Sequence, residues 1–253
     1  MTGYDFRSPR LYVSAPLRDG AAITLDRGQG HYLTTVLRLK EGHRVLVFNG
    51  RDGEWSASIA LDKRAVVLRL GIRTRMQTAA ADLHYVFAPL KTARLDYMVQ
   101  KAVEMGASRL QPVLTRHGQV ARVNLERMRA NAIEAAEQCG ILVLPEIAEP
   151  IALTALIAKR EPGRYLVFCD EDAEIADPVA ALGPVAPHVP LAVLVGPEGG
   201  FAADERALLL DAPDVVRLSL GPRILRADTA AVAVLALVQA VRGDWCQRPR
   251  VSE

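Results

Sequence analysis

Along the first 75 residues, apolar positions come in short runs: LYV, AITL, HRVLVFNG, WSASIA and AVVLRL. Turn dipeptides break them at Asp19-Gly20, Asn49-Gly50 and Asp52-Gly53. This spacing predicts short strands joined by hairpins. So many strands in so few residues predict a small β-barrel. One or two helical turns fit GHYLTTVLRLK, where Leu33, Val36 and Leu37 fall on one face. The stretch RTRMQTAAAD, 73–82, has weak periodicity and small polar residues, so a boundary is expected there between a domain at 1–75 and one at 76–253.

Beyond it the pattern alternates between strand and helix. LHYVFAPL (83–90), RLQPVLT, RYLVFCD (164–170), PLAVLVG (190–196) and VVRLSLG (215–221) read as strands of nearly continuous apolar residues. Between the first two, Leu95, Met98, Val99, Ala102 and Met105 recur at helical spacing, with Gly106 placed as a C-cap. A second helix starts at the N-cap Asn124, buries Leu125, Met128, Ala132, Ile133 and Ala136, and closes at Gly140. AADERALLL, after LVGPEGGF, is helix-like. Buried strands separated by helices imply an α/β fold with a parallel sheet covered on both faces. A last helix, Thr229 to Val241, is apolar almost all round, with Gln239 its only large polar side chain. Such a helix belongs inside the fold or against a second copy of the chain.

Composition alters this picture little. The chain has 253 residues, half of them hydrophobic, and a net charge of +2. No apolar run reaches the roughly 20 residues that span a bilayer. The N-terminus carries no signal-peptide pattern, so a cytoplasmic location is expected. Cys139, Cys169 and Cys246 are odd in number and far apart, which argues against a disulfide framework or a Cys-x-x-Cys metal site. Charge distribution says more. Residues 1–75 hold 13 Lys/Arg and 7 Asp/Glu, a balance of +6, and the other residues hold 18 and 22, a balance of −4. The basic first part suits either a polyanion or a solvated surface.

The P-loop, the Gly-x-Gly-x-x-Gly dinucleotide fingerprint, the Gly-x-Ser-x-Gly elbow and His-Glu-x-x-His are all missing from the sequence. His31, His43, His84, His117 and His188 are scattered and read as structural or surface residues, so no metal site is expected. What remains are three strand exits, FCDEDAE, VGPEGGF and LSLGPRILRADTAA. In an open parallel sheet, loops at the carboxyl ends of strands build the ligand crevice. Glycines there let backbone approach a ligand closely. Arg223 and Arg226 lie in a short loop between a buried strand and a buried helix. Asp228 either caps that helix or faces the crevice.

Five stretches, taken together, resemble the knotted SPOUT class of RNA methyltransferases, and within it the RsmE family, which methylates N3 of a uridine in small-subunit ribosomal RNA. They are LVGPEGGF (194–201), LSLGPRILRADTA (218–230), APLKTARLDYMVQKAVEMGA (88–107), AIEAAEQC (132–139) and HYLTTVLRLKEGHRVLVFNG (31–50). The resemblance implies a PUA-like barrel for RNA, a C-terminal domain threaded as a trefoil knot, and a homodimer. It also implies S-adenosylmethionine as cofactor, the small ribosomal subunit with its 16S rRNA as partner, and neither membrane nor metal. Two stretches depart from the family pattern: Ile141, Leu142 and Val143 stand where a basic residue is usual, and TRHGQV alters positions 116–119 (Arg116 to Gln119).

The same resemblance assigns cofactor contacts to Val195, Gly196, Pro197, Glu198, Gly199, Gly200, Leu218, Leu220, Gly221, Ile224, Leu225, Thr229 and Ala230. Loop shape or cofactor polarity is expected of Glu198. Arg223 or Arg226 would stabilise the uracil anion, and Asp228 or a water would take the N3 proton. Arg7, Arg10, Arg38, Lys40, Arg44, Lys91 and Arg94 are the expected phosphate contacts. Two alternatives stay open: ribose 2′-O-methylation of tRNA or rRNA on the same scaffold, and a non-catalytic RNA-binding protein of ribosome assembly.

Overall fold

The structure, a computed structural model, describes residues 7–62, 65–120, 122–173, 177–187 and 189–245, so His188 and Cys246 lie outside the described residues. The chain divides into two compact units. One comprises residues 1–79 with 133–144, and the other residues 80–132 with 145–253.

In the first unit, β1 (Arg10–Tyr12), β2 (Ala22–Thr24), β3 (Arg44–Phe48), β4 (Glu54–Asp62) and β5 (Ala65–Arg75) form one sheet in the order β1-β3-β4-β5-β2. Only the β1–β3 pair is parallel. Alternate residues Val45, Val47, Ala57, Ile59, Leu68 and Leu70 turn into the core, as the period of two demands. The turn glycines do what the sequence requires of them. Gly53 sits at φ +81°, and a Cβ there would lie 2.3 Å from the Arg75 carbonyl oxygen.

The helical turns of GHYLTTVLRLK differ from expectation. A short α-helix, α1 (Arg27–His31), runs into a π-helical turn, Tyr32–Val36. Widening the turn shifts the phase of the following side chains. Leu33 is fully buried, whereas Val36, expected on the same face, is 59% exposed. The turn ends in a glycine-type cap. Leu37 N–H donates to Tyr32 O, Leu39 N–H donates to Leu33 O, and Arg38 between them takes the left-handed conformation at φ +56°.

The segment 133–144 was not expected in this unit. Tyr12 N–H donates to Glu137 at 2.8 Å, Arg75 donates to the Gly140 carbonyl at 2.9 Å, and Leu142 is 2% exposed. The departure at Leu142 thus adds to a core. Glu137 is half-buried, and desolvation, aided by Glu134, pushes its carboxyl up to about 7 against the stabilising Tyr12 N–H. A raised carboxyl pKa means the folded state holds the proton more tightly. That stability is fully present below the unfolded value and is lost as pH rises through about 7. Glu137→Gln should therefore unfold at a higher temperature than the parent at pH 8, by about 1–2 kcal/mol after discounting partial exposure. The gap should close towards pH 4.5, the ordinary carboxyl value, and calorimetry across that range measures it.

In the second unit the strands are β6 (Leu83–Phe87), β7 (Arg109–Leu114), β8 (Glu146–Ile147), β9 (Ile151–Ala152), β10 (Tyr165–Cys169), β11 (Leu191–Val195) and β12 (Val215–Leu218). The order is β12-β10-β11-β6-β7-β8, with β9 also on β7, and every pair is parallel. Every residue of β11 is buried, as expected for a central parallel strand. The connecting helices are α2 (Thr92–Glu104), α3 (Leu125–Cys139), α4 (Leu153–Lys159), α5 (Pro178–Leu182), α6 (Ala203–Asp211) and α7 (Ala227–Val241). Helix α2 ends as anticipated at Gly106. Gly106 and Ala107 N–H groups donate to Val103 and Ala102 carbonyls, which is the Schellman pattern.

Helix α7 packs on α2, α5 and β11. Its Gln239 is 1% exposed yet satisfied, donating to the Met105 carbonyl at 2.7 Å and accepting from Asp244 N–H at 2.9 Å. Strand β11 lies between β6 and β10, although the chain reaches it only after β10. Such a reversal of order opens a crevice at the carboxyl ends of the strands.

Candidate active site

Three of those carboxyl ends carry the residues singled out above. After β11 the chain turns at Gly196, where a Cβ would lie 2.5 Å from the Phe201 ring. Phe201 is held in place by Phe168, edge to face with centroids 5.2 Å apart. Val195 and Pro197 are buried and Glu198 and Gly199 are exposed. Gly200 N–H donates to the Pro197 carbonyl at 2.9 Å with Gly200 at φ +67°. The loop therefore displays backbone groups on a fixed turn.

After β12, Leu218 is buried, Leu220 half-buried, and Gly221 left-handed at φ +93°. Arg223, Ile224 and Arg226 are exposed and Leu225 half-buried. No hydrogen bond or ion pair with a described residue holds the guanidinium of Arg223 or Arg226. Helix α7 begins earlier than expected, with Arg226 in the cap position and no side-chain cap. Asp228 is therefore not the N-cap. It lies in the first turn, beside exposed Thr229 and buried Ala230.

After β6, Ala88 N–H donates to the Val195 carbonyl at 3.0 Å, so the β6 and β11 loops leave the sheet side by side. Lys91 is exposed at the start of α2, and Arg94 follows in its first turn. Arg94 joins all three loops. Its Nε and Nη2 donate to the two oxygens of Asp228 at 2.9 and 3.0 Å, and its Nη1 donates to Glu198. Hydrogen bonds from Arg94 hold the Asp228 carboxyl below the usual carboxylate range. The same bonds raise the pKa of Arg94 itself.

Arg94 was expected to contact phosphate, and the structure gives it two carboxylates instead. A signal existed in the sequence. KTARLDYMVQKAVE opens a helix with Lys91 at the cap, Arg94 in the first turn and no acid there, against the preference set by the helix dipole.

Three more residues that sequence reasoning missed shape these loops. His117 Nδ1 lies 3.1 Å from the Gly199 carbonyl, so the altered TRHGQV stretch supports the GPEGG turn. Arg116 pairs with Asp204 at 2.6 Å, and its N–H donates to Glu205. At the FCDEDAE exit, Asp170 is 5% exposed and accepts from Arg206 and Arg217, both at 2.9 Å.

In the first unit, Arg7, Arg38, Lys40 and Arg44 are exposed, as an RNA surface would need. Arg10 is not. It is 7% exposed and donates to buried Glu54 at 3.1 Å, alongside Arg75. Its charge is committed to folding, because a buried carboxylate needs compensating donors. Arg10 leaves the set of candidate phosphate contacts.

Among the described residues, no cluster of three His, Cys, Asp or Glu could hold a metal ion, and no helix is long and apolar enough to cross a membrane.

An open parallel sheet with its functional loops at the strand carboxyl ends is the architecture of a nucleotide-type cofactor domain, and residues 77–239 match the model of the RNA methyltransferase domain. Residues 25–71 match the model of the RNA methyltransferase PUA domain. Ribosomal RNA small subunit methyltransferase E of Rickettsia conorii is 31% identical over 240 residues, covering 94% of this chain and 97% of that protein. The chain belongs to the ribosomal RNA small subunit methyltransferase E family. A Legionella pneumophila structure in complex with the bound cofactor S-adenosylmethionine aligns with TM-score 0.77 and 27% identity, over 92% of this chain and 98% of that one. The fold is also that of the Neisseria gonorrhoeae family member, with TM-score 0.83 at 24% identity over 94% of this chain and all of that one.

Proposed function

We propose that this protein transfers the methyl group of S-adenosylmethionine to N3 of a uridine in 16S rRNA of the small ribosomal subunit. The observation that carries the reading is the convergence of the β6, β11 and β12 loops on Arg94, within a domain that matches the RNA methyltransferase model. The residues present suit this cofactor. Turned backbone at Gly196–Gly200 and Leu218–Gly221 offers hydrogen bonds and close approach, and two carboxylates stand where phosphate would be repelled. S-adenosylmethionine has no phosphate, and when bound it supplies an electrophilic methyl on a sulfonium.

The protein's own contribution is positioning and charge. In this reading Arg223 and Arg226, exposed on the loop after β12, hold O2 and O4 of a uracil as N3 loses its proton. Asp228, engaged by Arg94 on both oxygens, is a fixed carboxylate, so in this reading water carries the N3 proton away. N3 lies on the pairing edge, so the base enters unstacked.

Phosphate contacts are assigned to Arg7, Arg38, Lys40, Arg44 and Lys91. Arg38 supports this most directly: glycine would be the easier residue at its left-handed position, and no described residue pairs with its guanidinium. Arg44, Ser58 and Arg69 also stand directly opposite one another across β3, β4 and β5, all exposed. Arg38→Ala should weaken binding to small-subunit RNA about tenfold and lower the salt slope by about one. Its affinity for S-adenosylmethionine should stay unchanged. Equal loss of cofactor affinity would contradict this division of labour.

The same reading includes closure of the first unit's sheet as a barrel, a trefoil knot in the second unit, a cytoplasmic location and a homodimer. For the dimer, support comes from α7, whose Val232, Ala233, Ala236 and Leu237 are only half-buried in the single chain. The decisive experiment incubates the protein with labelled S-adenosylmethionine and small subunits lacking the modification. Digestion should give labelled 3-methyluridine. A ribose-methylated nucleoside, or no transfer, would overturn the proposal.

A further inference from the structure

Where the β6, β11 and β12 loops meet, two carboxylates, Glu198 and Asp228, share one guanidinium, Arg94, which leaves one negative charge in surplus among the three. Among the described residues no other cation pairs with either carboxylate. Arg116 pairs with Asp204 at 2.6 Å, and Arg206 and Arg217 pair with Asp170, so none of the three touches Glu198 or Asp228. A third carboxylate, Glu171, lies close to the same turn, with Oε1 3.4 Å from the Cβ position of Gly200. The surplus is also fixed in place. Asp228 is gripped by two prongs of Arg94, and the third prong keeps Glu198 on the same side. Among the described residues Glu198 has no partner besides Arg94, so what it brings to the site is its charge.

The two ligands of such a pocket differ mainly in charge. S-adenosylmethionine carries a sulfonium, an ammonium and a carboxylate, a net positive charge. Its product, S-adenosylhomocysteine, has lost the sulfonium with the methyl group and is neutral overall. We propose that Glu198, positioned by Arg94, is a specificity-determining residue that lets the site distinguish the methyl donor from its demethylated product by charge. Donor is held, and product is released because the surplus charge no longer has a partner. This inference rests on the proposed cofactor, and it assigns the role that loop shape alone would not.

The experiment titrates both ligands into the full-length protein by calorimetry, comparing the parent with Glu198→Gln and Glu198→Asp. Glu198→Gln keeps size and an acceptor oxygen but removes the charge. It should lose about five- to tenfold in affinity for S-adenosylmethionine, the span expected for one partly exposed charge. Its affinity for S-adenosylhomocysteine should change less than twofold. Glu198→Asp keeps the charge and should keep the ratio of the two affinities. Raising salt should shrink the parent's ratio towards that of the Gln variant. Equal losses for both ligands in Glu198→Gln, or no loss in either, would overturn the inference and leave Glu198 a loop-shaping residue. A parent protein that binds neither ligand would instead overturn the proposed function. Unfolding midpoints of the variants guard against a loss caused by misfolding.

Discussion

Gly196→Ala is expected to unfold several degrees below the parent and to bind S-adenosylmethionine at least tenfold more weakly. The added methyl would sit 2.5, 2.9 and 3.1 Å from three carbons of the Phe201 ring. That ring cannot simply swing away, because it packs edge-on against Phe168, which is 1% exposed in the core under the loop. Overpacking of this kind costs about 1–3 kcal/mol, or several degrees in a domain of this size. Whatever relaxation relieves the clash must move the GPEGG turn, and with it the backbone that would meet the cofactor. Gly221→Ala is the control. Gly221 is left-handed at φ +93° but a Cβ there meets nothing within 4 Å, so only the backbone cost of about 1 kcal/mol is expected. Calorimetric unfolding and cofactor titration of both variants decide the matter. Equal destabilisation by the two would mean that the contact with Phe201 is not what holds the loop.

Much of the second unit could be read from the chain because its signals are local. Five consecutive buried residues in LAVLV can only be a covered strand, and the Schellman cap at Gly106 closes a helix whose apolar face was legible. That face held with one exchange: Val103 is buried where Met105 was expected. Three other features left no local trace. A π-helical turn keeps an apolar pattern while changing its phase, so Val36 came out exposed. The return of residues 133–144 to the first unit depends on Glu137 meeting Tyr12, 125 positions away. Arg10 looked like one more basic surface residue, and only its pairing with Glu54 across 44 positions shows that it is buried. Pairs so far apart are set by tertiary packing, and the spacing of residues along the chain cannot report them.

The pocket follows the same rule, since the GPEGG and ILRADTA loops were legible and the residue that joins them was not. Arg94→Ala is expected to lower kcat/KM for methyl transfer about a hundredfold, equivalent to about 2.7 kcal/mol of transition-state stabilisation. Its removal leaves Asp228, with a side chain 18% exposed, facing Glu198 with no cation between them. The two carboxylates then repel, and the β11 and β12 loops lose the bridge that fixes their spacing. Misplacement of a reacting centre by about 1 Å can cost a hundredfold in rate.

Arg94→Lys should recover part of the activity, remaining about tenfold below the parent. An ammonium supplies the charge but not the planar fork that grips both Asp228 oxygens while reaching Glu198. Stability should respond far less than activity, by no more than about 1 kcal/mol, because the bridge is partly solvent-exposed. Single-turnover transfer to small subunits, run beside thermal unfolding, separates the two effects. Activity within threefold of the parent in Arg94→Ala would show that the loops keep their spacing without the bridge. The pocket's geometry would then have to come from the strands beneath it.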